Sequence, residues 1–294
     1  MMYTIIDSLL PQFPVSINSA CSCLNISRSQ YYDWKIRNDL LNQSDPFEIQ
    51  IKDKIHQIAI EFPRYGYRRI TKELHRRGLQ INSKRVLNLM REDNLLCIKK
   101  TFVPRTTDSN HNHKIYPNLA RDIEVTRINQ LWVSDITYIQ LPNEFIYLAV
   151  IIDVGSRRCI GWDLDRNIDT QLTLNALYKA LECRAGQDLN GLIHHSDQGV
   201  QYASNAYIKC LREHDICISM SRKGNPYDNA FAESFMKTLK YEEVYLADYR
   251  TFNEAYDNIE NFIESVYNEK RLHSKIGYLP PIEYEEALGL YSVA

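Results

Sequence analysis

The sequence predicts an α/β protein, in which a five-stranded mixed sheet with flanking helices follows an all-α region. Three observations predict this class: helical periodicity before residue 98, strand-like alternation beyond Asn129, and the order of the elements in the second part. At 294 residues the chain is long enough for about two domains, each with its own core.

The first 98 residues have a helical pattern throughout. Proline and glycine punctuate it, because Pro46 opens a helix, Pro63 stops it, and Gly78 ends the next one. Phe47, Ile51, Ile55, Ile58 and Phe62 are predicted as the apolar face of the Pro46 helix, and Val86, Leu87 and Met90 as that of a later helix. In order, we expect helices over 16–24, 27–35, 46–62 and 67–77, and a last one capped by Asn82 or Ser83.

The last of these helices carries polar and basic side chains on one face. Lys84, Asn88 and Arg91 fall at i, i+4 and i+7, so they share a side of the helix. Three helices with a turn after the second and a cationic third are typical of a helix-turn-helix DNA reader. The alternative is a solvated basic face on a structural bundle. The predicted DNA contacts in this region are Arg68, Arg69, Lys84, Arg85, Asn88 and Arg91.

Charge is unevenly distributed although the net charge is only −2. Residues 61–105 hold 12 Lys and Arg against 4 Asp and Glu, whereas residues 241–294 hold 4 against 11. This asymmetry indicates an anionic polymer bound at one end of the chain. Seven scattered cysteines favour a reducing, cytoplasmic setting over a disulfide framework or zinc site. The lack of a long apolar run predicts no membrane span.

Beyond Asn129 the pattern changes to strands. Leu131–Leu141 and Phe145–Asp153 flank Pro142-Asn143-Glu144, which is a hairpin signal, and Arg157–Asp165 predicts a third strand. Further along we expect a helix over 170–184, a strand over 191–196, a helix over 205–214, a strand over 216–221, and then a helix carrying Glu233. This order is typical of a ribonuclease-H-like mixed sheet.

Three acidic residues occupy different local structures in this region. Asp135 lies within a predicted central strand, Asp197 directly after one, and Glu233 inside a helix. A strand interior disfavours Asp, and buried carboxylates need a positive partner. Because carboxylate oxygens are the ligands that Mg²⁺ prefers, the trio predicts a site for two divalent ions that performs phosphoryl transfer. Asp135 would bridge both ions, while Asp197 and Glu233 would each hold one.

Cationic residues follow the trio. Lys237 and Lys240 fall at i+4 and i+7 from Glu233, so a plain Glu233–Lys237 ion pair is one interpretation, and Lys240 directed at a DNA phosphate is the other. Arg222 and Lys223 lie in a cationic loop before this helix and are further candidates for DNA contact. We expect Asp228 to cap the helix.

The motifs resemble those of a known family. Trp132-x-x-Asp135-Ile-Thr-Tyr, His195-Ser-Asp197-Gln-Gly-x-Gln-Tyr and Asp228-Asn-Ala-x-x-Glu233 are similar to the integrase core of insertion-sequence transposases of the OrfB type, within the insertion-sequence-three family and the wider retroviral-integrase superfamily. The resemblance extends to the C-terminal signature and the helix-turn-helix segment, which are Tyr267-Asn268-x-x-Arg271-x-His273, Gly277-Tyr278-x-x-Pro281 and 63–70.

The resemblance implies a function and a set of partners. It implies cleavage at element ends that depends on two Mg²⁺ or Mn²⁺ ions, followed by strand transfer, with Asp135, Asp197 and Glu233 as catalytic residues and metal ligands. It also implies double-stranded DNA as substrate, a homo-oligomer on DNA, an upstream OrfA-type protein or fusion segment, and a nucleoid-associated place in a bacterial cytoplasm. The expected domains are an N-terminal helical segment over 1–45, the helix-turn-helix domain over 46–98, a linker over 99–125, the integrase core over 126–245, and a C-terminal helical extension over 246–294.

Two other functions stay open at this level. A non-catalytic DNA-binding regulator of transposition would use the same N-terminal helices and keep the core as structure only. A ribonuclease of the same fold is the third possibility. Tyrosine recombinase chemistry is disfavoured, because no Arg…His-x-x-Arg…Tyr arrangement stands out among the 20 tyrosines.

Overall fold

The computed structural model describes residues 2–10, 15–42, 46–96, 114–222 and 226–289. The chain divides into two compact units. The first comprises 1–61 with 73–96, and the second comprises 62–72 with 97–294. Residues 62–72 lie inside the range predicted for the helix-turn-helix domain, but they are part of the second unit. Most of the predicted linker, and Lys223 in the cationic loop, lie outside the described residues.

The N-terminal part of the first unit consists of three helices: α1 (Met2–Leu9), α2 (Ile17–Cys23) and α3 (Arg28–Asn42). α1 was not predicted and α2 agrees with the predicted 16–24, whereas α3 begins as predicted but continues seven residues beyond the predicted end at 35. Ile6, Cys21 and Tyr31, one from each helix, are buried together. The Tyr31 hydroxyl donates to the Asp7 carboxylate over 2.7 Å, so the polar end of this small core is satisfied.

The helix-turn-helix region comprises α4 (Pro46–Glu61), α5 (Tyr67–Arg76) and α6 (Ser83–Glu92). The Asn82 side chain caps α6 by accepting from the Lys84 amide over 2.8 Å, as predicted. The predicted apolar face of α6 was wrong in one position, since Leu89 is buried and Leu87 is only half-buried. At about 100° per residue both Leu87 and Leu89 fit an arc of about 100° with Val86 and Met90, so the helical period alone does not decide between them. On α4, Phe47 was also wrongly placed, because it is 52% exposed and the buried stripe begins at Ile51.

A five-stranded mixed sheet forms the centre of the second unit, as predicted. Its strands are β1 (Leu131–Gln140), β2 (Phe145–Asp153), β3 (Cys159–Asp165), β4 (Ile193–Ser196) and β5 (Cys217–Met220). They lie in the order β3-β2-β1-β4-β5. β1 to β3 form an antiparallel meander, while β4 pairs in parallel with both β1 and β5. This order is that of the ribonuclease-H-like core.

Helices cover both faces of the sheet. On one face, α7 (Thr170–Cys183) and α8 (Asn205–Glu213) pack on side chains such as Trp132 and Ile151. On the other, α9 (Ala230–Leu239) and α10 (Phe252–Asn261) pack on side chains such as Val133 and Val150. Both faces are therefore buried, which explains why β2 is a nearly continuous apolar run. π-helical segments over Lys240–Val244 and Phe262–Asn268 continue α9 and α10, and α11 (Pro281–Ala287) follows.

β3 and α7 approach each other closely at Gly161. A Cβ atom placed there would lie 2.2 Å from the Ala176 carbonyl oxygen and 2.8 Å from the Ala180 amide nitrogen. Both atoms belong to the helix backbone and cannot move aside singly. Only glycine fits at this position, and small residues at 176 and 180 complete the contact.

A buried charge cluster joins α11 to the core. Arg184, directly after α7, donates to both carboxylate oxygens of Glu285 and lies 3.3 Å from the Asp153 carboxylate. All three side chains are fully buried. Burial by itself raises the pKa of Glu285, but the hydrogen bond and the charge of Arg184, together with smaller contributions from Ser156 and Arg158, outweigh it and hold that pKa below its ordinary value. The pKa of Asp153 is raised, because burial outweighs the attraction of Arg184.

Replacement of this arginine should be strongly destabilising. In Arg184→Met two buried carboxylates lose their shared cation, so we expect the free energy of unfolding to fall by about 3–5 kcal/mol. Urea denaturation measures it. Lys209→Met is the control, because Lys209 forms only an exposed pair with Glu213 at 3.6 Å, worth about 0.3–0.5 kcal/mol. Equal losses in the two variants would contradict a structural role for the cluster.

The close approach at Gly161 makes a second prediction. Gly161→Ala should lower the free energy of unfolding by roughly 1–3 kcal/mol or more, since the added methyl group overlaps backbone atoms of α7. Gly66→Ala is the matched control, because a Cβ at Gly66 meets nothing within 4 Å. Thermal unfolding of both variants gives the comparison, and a similar melting temperature for the two would refute the account of the β3–α7 contact.

Candidate active site

Two of the predicted acidic residues lie side by side where β4 ends against the central strand β1. In the parallel β1–β4 pair, Val133 is the register partner of His195. Asp135 and Asp197 each follow two residues later, so Asp197 lies just beyond the carboxyl end of β4 and Asp135 lies beside it in the middle of β1. Neighbouring strands are about 4.8 Å apart, and residues two apart point to the same face. Asp135 therefore shares the face of Val133, which is the face that α9 covers.

The environment of Asp135 disfavours its charge. Burial, and then the negative charge of Asp197, raise the pKa of Asp135 to about 7. The Ile136 amide, which donates to its carboxylate over 3.0 Å, and the positive charge of Lys240 act in the opposite direction. The negative charge of Glu233 adds a smaller increase. A carboxyl group in this state gains stability from a bound cation.

A tight turn positions the second carboxylate. The Gly199 amide donates to the Asp197 carboxylate over 2.9 Å, and a Cβ at Gly199 would lie 2.9 Å from the same oxygen. Glycine is thus required for the backbone to approach the carboxylate this closely. Asp197 also lines a cavity of about 640 Å³, whose other walls include side chains from β1, β2 and the 197–201 turn: Thr137, Tyr138, Phe145, Tyr147 and Gln201.

The start of α9 is tied to β1 beside Asp135. Asn229 donates its side-chain amide to the Ser134 carbonyl over 2.8 Å, which positions the helix that carries Glu233. The role of Asn229 was missed in the sequence, although it lies within the Asp228-Asn229-Ala230 motif. The prediction that Asp228 caps this helix was wrong, because its carboxylate accepts from the Arg222 backbone and guanidinium instead. The hydrogen bond from Arg222 lowers the pKa of Asp228 to about 2.

Lys240 lies close to the two aspartates. Its ammonium nitrogen is 4.9 Å from the centroid of the Tyr138 ring, and it is near enough to Asp135 for each charge to affect the other's pKa. Burial lowers the pKa of Lys240, whereas the negative charge of Asp135 raises it. A partly desolvated cation of this kind is suited to bind a phosphate oxygen.

Glu233 completes the trio in sequence but is exposed on α9. Within the described residues, no group of three or more His, Cys, Asp and Glu side chains is placed to hold a metal ion. The structure therefore brings Asp135, Asp197 and Lys240 together, with Glu233 within electrostatic range of Asp135. A metal site formed by all three carboxylates stays a prediction.

The predicted DNA contacts near the core have different environments. Lys237 is exposed on α9, while Arg222 is exposed and pairs with Asp228 over 3.1 Å. Arg69 is half-buried and donates to the Leu272 carbonyl over 3.1 Å, so its guanidinium already supports the second unit. Arg68 is exposed and lies against the Tyr67 ring.

On α6 the predicted contacts are accessible. Lys84, Arg85, Asn88 and Arg91 are all exposed. Arg85 pairs with Glu48 of α4, which offsets its charge. Lys84 and Arg91 form no ion pair with any residue that the structure describes, so they leave a positive face on this helix.

Family models match most of the chain. A model described as an integrase core domain matches residues 125–226, a second model of that description matches 214–281, and a model described as an HTH-like domain matches 47–101. The transposase for insertion sequence element IS904 of Lactococcus lactis subsp. lactis is 41% identical over 238 residues, covering 80% of this chain and 93% of that protein. The chain belongs to the insertion-sequence transposases.

Other relatives of this transposase cover still more of it. Transposase InsF for insertion sequence IS3A of Escherichia coli is 34% identical over 289 residues, covering 97% of this chain and 98% of the relative. An uncharacterized 31 kDa protein of insertion element IS600 from Shigella sonnei is 35% identical over 267 residues, covering 90% and 97%. Among solved structures, the catalytic core domain of BIV integrase is 20% identical, with a TM-score of 0.41, covering 55% of this chain and 97% of that one.

A separate finding concerns membranes. In the ranges that the structure describes, none of the transposase helices has the length and apolar character needed to cross a bilayer.

The raised pKa of Asp135 predicts how stability depends on pH. In unfolded chains this carboxyl ionises near its ordinary value of 3.8, and in the folded protein at about 7, so stability falls as pH rises between these values. With a chelator present, Asp135→Asn should raise the free energy of unfolding at pH 8 by about 1–4 kcal/mol, and by much less at pH 4.

Urea denaturation at both pH values measures this effect. Asp215→Asn, at an exposed carboxylate on another edge of the molecule, is the control and should show no comparable gain. If Asp135→Asn lowered the free energy of unfolding at pH 8, this would contradict the conclusion that burial makes the ionised Asp135 carboxylate unfavourable.

Proposed function

We propose that this transposase catalyses metal-dependent DNA strand cleavage and strand transfer at insertion-sequence ends, with Asp135, Asp197 and Glu233 as the catalytic and metal-binding residues. The observation that carries the proposal is the register of β1 and β4. Two carboxylates that repel each other, one inside β1 and one directly after β4, beside an open cavity, have no structural purpose that apolar residues would not serve better.

The residues suit Mg²⁺ or Mn²⁺. Asp135 and Asp197 supply hard oxygen donors, and burial together with the charge of Asp197 raises the pKa of Asp135, which supports a need for added positive charge. Asp135 would be shared between two ions, and Asp197 and Glu233 would hold one each. When bound, such ions stabilise negative charge on the phosphoryl oxygens of an in-line displacement and on the attacking and leaving oxygens.

The remaining residues of the site bind and orient the strand. Lys240, half-buried between Tyr138 and Asp135, is placed to bind a nonbridging phosphate oxygen and to hold the phosphodiester against the aspartates. The cavity beside Asp197 admits the strand, and its aromatic and aliphatic walls accommodate sugar and base surfaces. Asn229 acts as a positioning residue, because it holds the start of α9 on β1.

Duplex DNA outside the site would be bound by the basic residues of the helix-turn-helix region. Lys84, Asn88 and Arg91 present an exposed polar face on α6, and Arg68 adds a further exposed cation. Lys237, Arg222 and Lys223 would contact DNA nearer the core. We further propose that copies of the chain assemble on DNA, and that an upstream OrfA-type protein or fusion segment contributes to recognition of the ends.

Substitution of the acidic residues tests the catalytic proposal. Asp197→Asn and Glu233→Gln should each lower Mg²⁺-dependent joining of element-end oligonucleotides by about 10³-fold or more, since each removes a charge needed only for chemistry. Both should still bind the duplex in a chelator. Asp215→Asn and Glu213→Gln are controls with the same chemical changes at exposed positions, and they should join DNA at the unmodified rate.

Two outcomes would count against the proposal. Unimpaired joining by either variant would show that the trio does not hold the metal. DNA binding by the unmodified chain together with its upstream OrfA-type partner, with no cleavage in Mg²⁺ or Mn²⁺, would support the non-catalytic regulator. Cleavage confined to RNA–DNA hybrids would indicate the ribonuclease.

A further inference from the structure

A second, smaller cavity of about 160 Å³ lies on another side of α9 and is lined by cations. Arg69, Arg157, Arg271 and Lys275 contribute to its wall, and all of them belong to the second unit. The acidic trio does not line it, so it is separate from the candidate active site. Four cations around a space of this size are unusual unless an anion enters it.

Most of this positive charge is unbalanced by protein carboxylates. Arg271 pairs with Glu242 over 2.7 Å. Arg69 is directed to the Leu272 carbonyl, and the Arg157 guanidinium lies 4.4 Å from the centroid of the Phe231 ring. Across the described ranges, neither Arg69 nor Arg157 forms an ion pair with a carboxylate. Burial lowers the pKa of both guanidinium groups, which shows that the wall holds them away from bulk water.

His273 gives an independent indication of a ligand. It lines the cavity, its side chain is nine-tenths buried, and its Nε2 atom has no hydrogen-bond partner among the residues that the structure describes. Burial, and then the charges of Arg271, Arg69 and Arg157, keep the pKa of His273 well below its ordinary value. The ring is therefore neutral, and its unsatisfied nitrogen is unfavourable until a ligand bonds to it.

Hydroxyl groups of α9 complete the wall. Phe231, Ser234, Phe235 and Thr238 fall at i, i+3, i+4 and i+7, and this face of the helix lines the cavity. Ser234 directly follows Glu233, so the cavity and the candidate active site lie on adjacent faces of one helix. A DNA strand that crosses α9 meets both.

We propose that this cavity binds one phosphate group of the DNA backbone, held by Arg157 and Lys275 with the His273 ring and the Ser234 hydroxyl as further hydrogen-bonding groups, since the Thr238 hydroxyl already donates to the Ser234 carbonyl over 3.0 Å. The proposal rests on DNA being the substrate, as proposed above. A cavity of about 160 Å³ has room for a phosphate group. The contact would hold the strand beside Glu233 without taking part in chemistry.

Salt dependence of DNA binding tests the proposal. Fluorescence anisotropy with a labelled duplex, in a chelator, gives the slope of log K against log salt concentration for the full chain. Arg157→Gln and Lys275→Gln should each reduce the magnitude of this slope, by roughly 0.9 if a full phosphate contact is lost. Lys209→Gln removes an equal charge from an exposed position outside the cavity and should leave the slope unchanged.

The two variants keep the test decisive. Arg157 packs on Phe231, so its substitution risks the fold, whereas Lys275 is exposed and its substitution does not. Unchanged slopes for folded Lys275→Gln and Arg157→Gln would overturn the proposal. A second measurement follows the ¹⁵N resonance of His273 Nε2 on addition of inorganic phosphate or duplex DNA, and a shift with DNA supports the assignment.

The outcomes also separate the sources of the phosphate. A shift with inorganic phosphate but not with DNA, together with unchanged slopes, would assign the cavity to a small free anion and overturn the DNA contact. Failure of the catalytic proposal is distinguishable, because binding is measured without metal. Asp197→Asn should retain the full salt slope even if it joins no DNA.

Discussion

The parallel pairing of β1 with β4 is the constraint on which the site depends. It places Asp135, in the middle of β1, beside Asp197, just beyond the end of β4, and burial then makes two neighbouring negative charges unfavourable without added positive charge. The same strands with apolar residues at these two positions would pack more stably, so the carboxylates lower the stability of the fold and are explained by function. Lys240 and the open cavity beside Asp197 lie where a phosphodiester would approach these two carboxylates.

Two adjacent faces of α9 contribute to two different surfaces, the candidate active site and the cationic cavity. Glu233, Lys237 and Lys240 follow one line along the helix and its continuation, while Phe231, Ser234 and Thr238 follow the next and line the cationic cavity. Its buried residues, among them Phe235 and Leu239, fix both lines relative to the sheet. A small rotation of this helix would therefore change both surfaces at once. The hydrogen bond from Asn229 to β1 resists that rotation at the end nearest the aspartates.

Most of the sheet could be predicted from the sequence, because long runs of β-branched and aromatic residues on either side of a hairpin turn specify β1 and β2 locally. The motifs around Asp135 and Asp197 predicted that the two belong to one site, and its role in holding metal ions stays a prediction. Other features depend on tertiary contacts that the local sequence does not specify. Local rules favour Asp228 as a helix cap. Its carboxylate instead accepts hydrogen bonds from the charged Arg222, and this interaction replaces the cap. The cationic cavity brings Arg69 together with residues some 200 positions later in the chain, and no local sequence pattern predicts a contact over that separation.

The charge cluster around Arg184 has a consequence for the order of events during synthesis. Glu285, the carboxylate that neutralises this arginine, is made 101 residues after it. At about 5–20 residues per second the delay is roughly 5–20 s. During that interval α7 and strands β1 to β3 have already been synthesised, and Asp153 is the one carboxylate of the cluster available to pair with Arg184. The central sheet can therefore assemble before α11 has been synthesised. The charge cluster around Arg184 is completed only when α11 packs against the core, and until then the unfinished core is a possible target for a ribosome-bound chaperone.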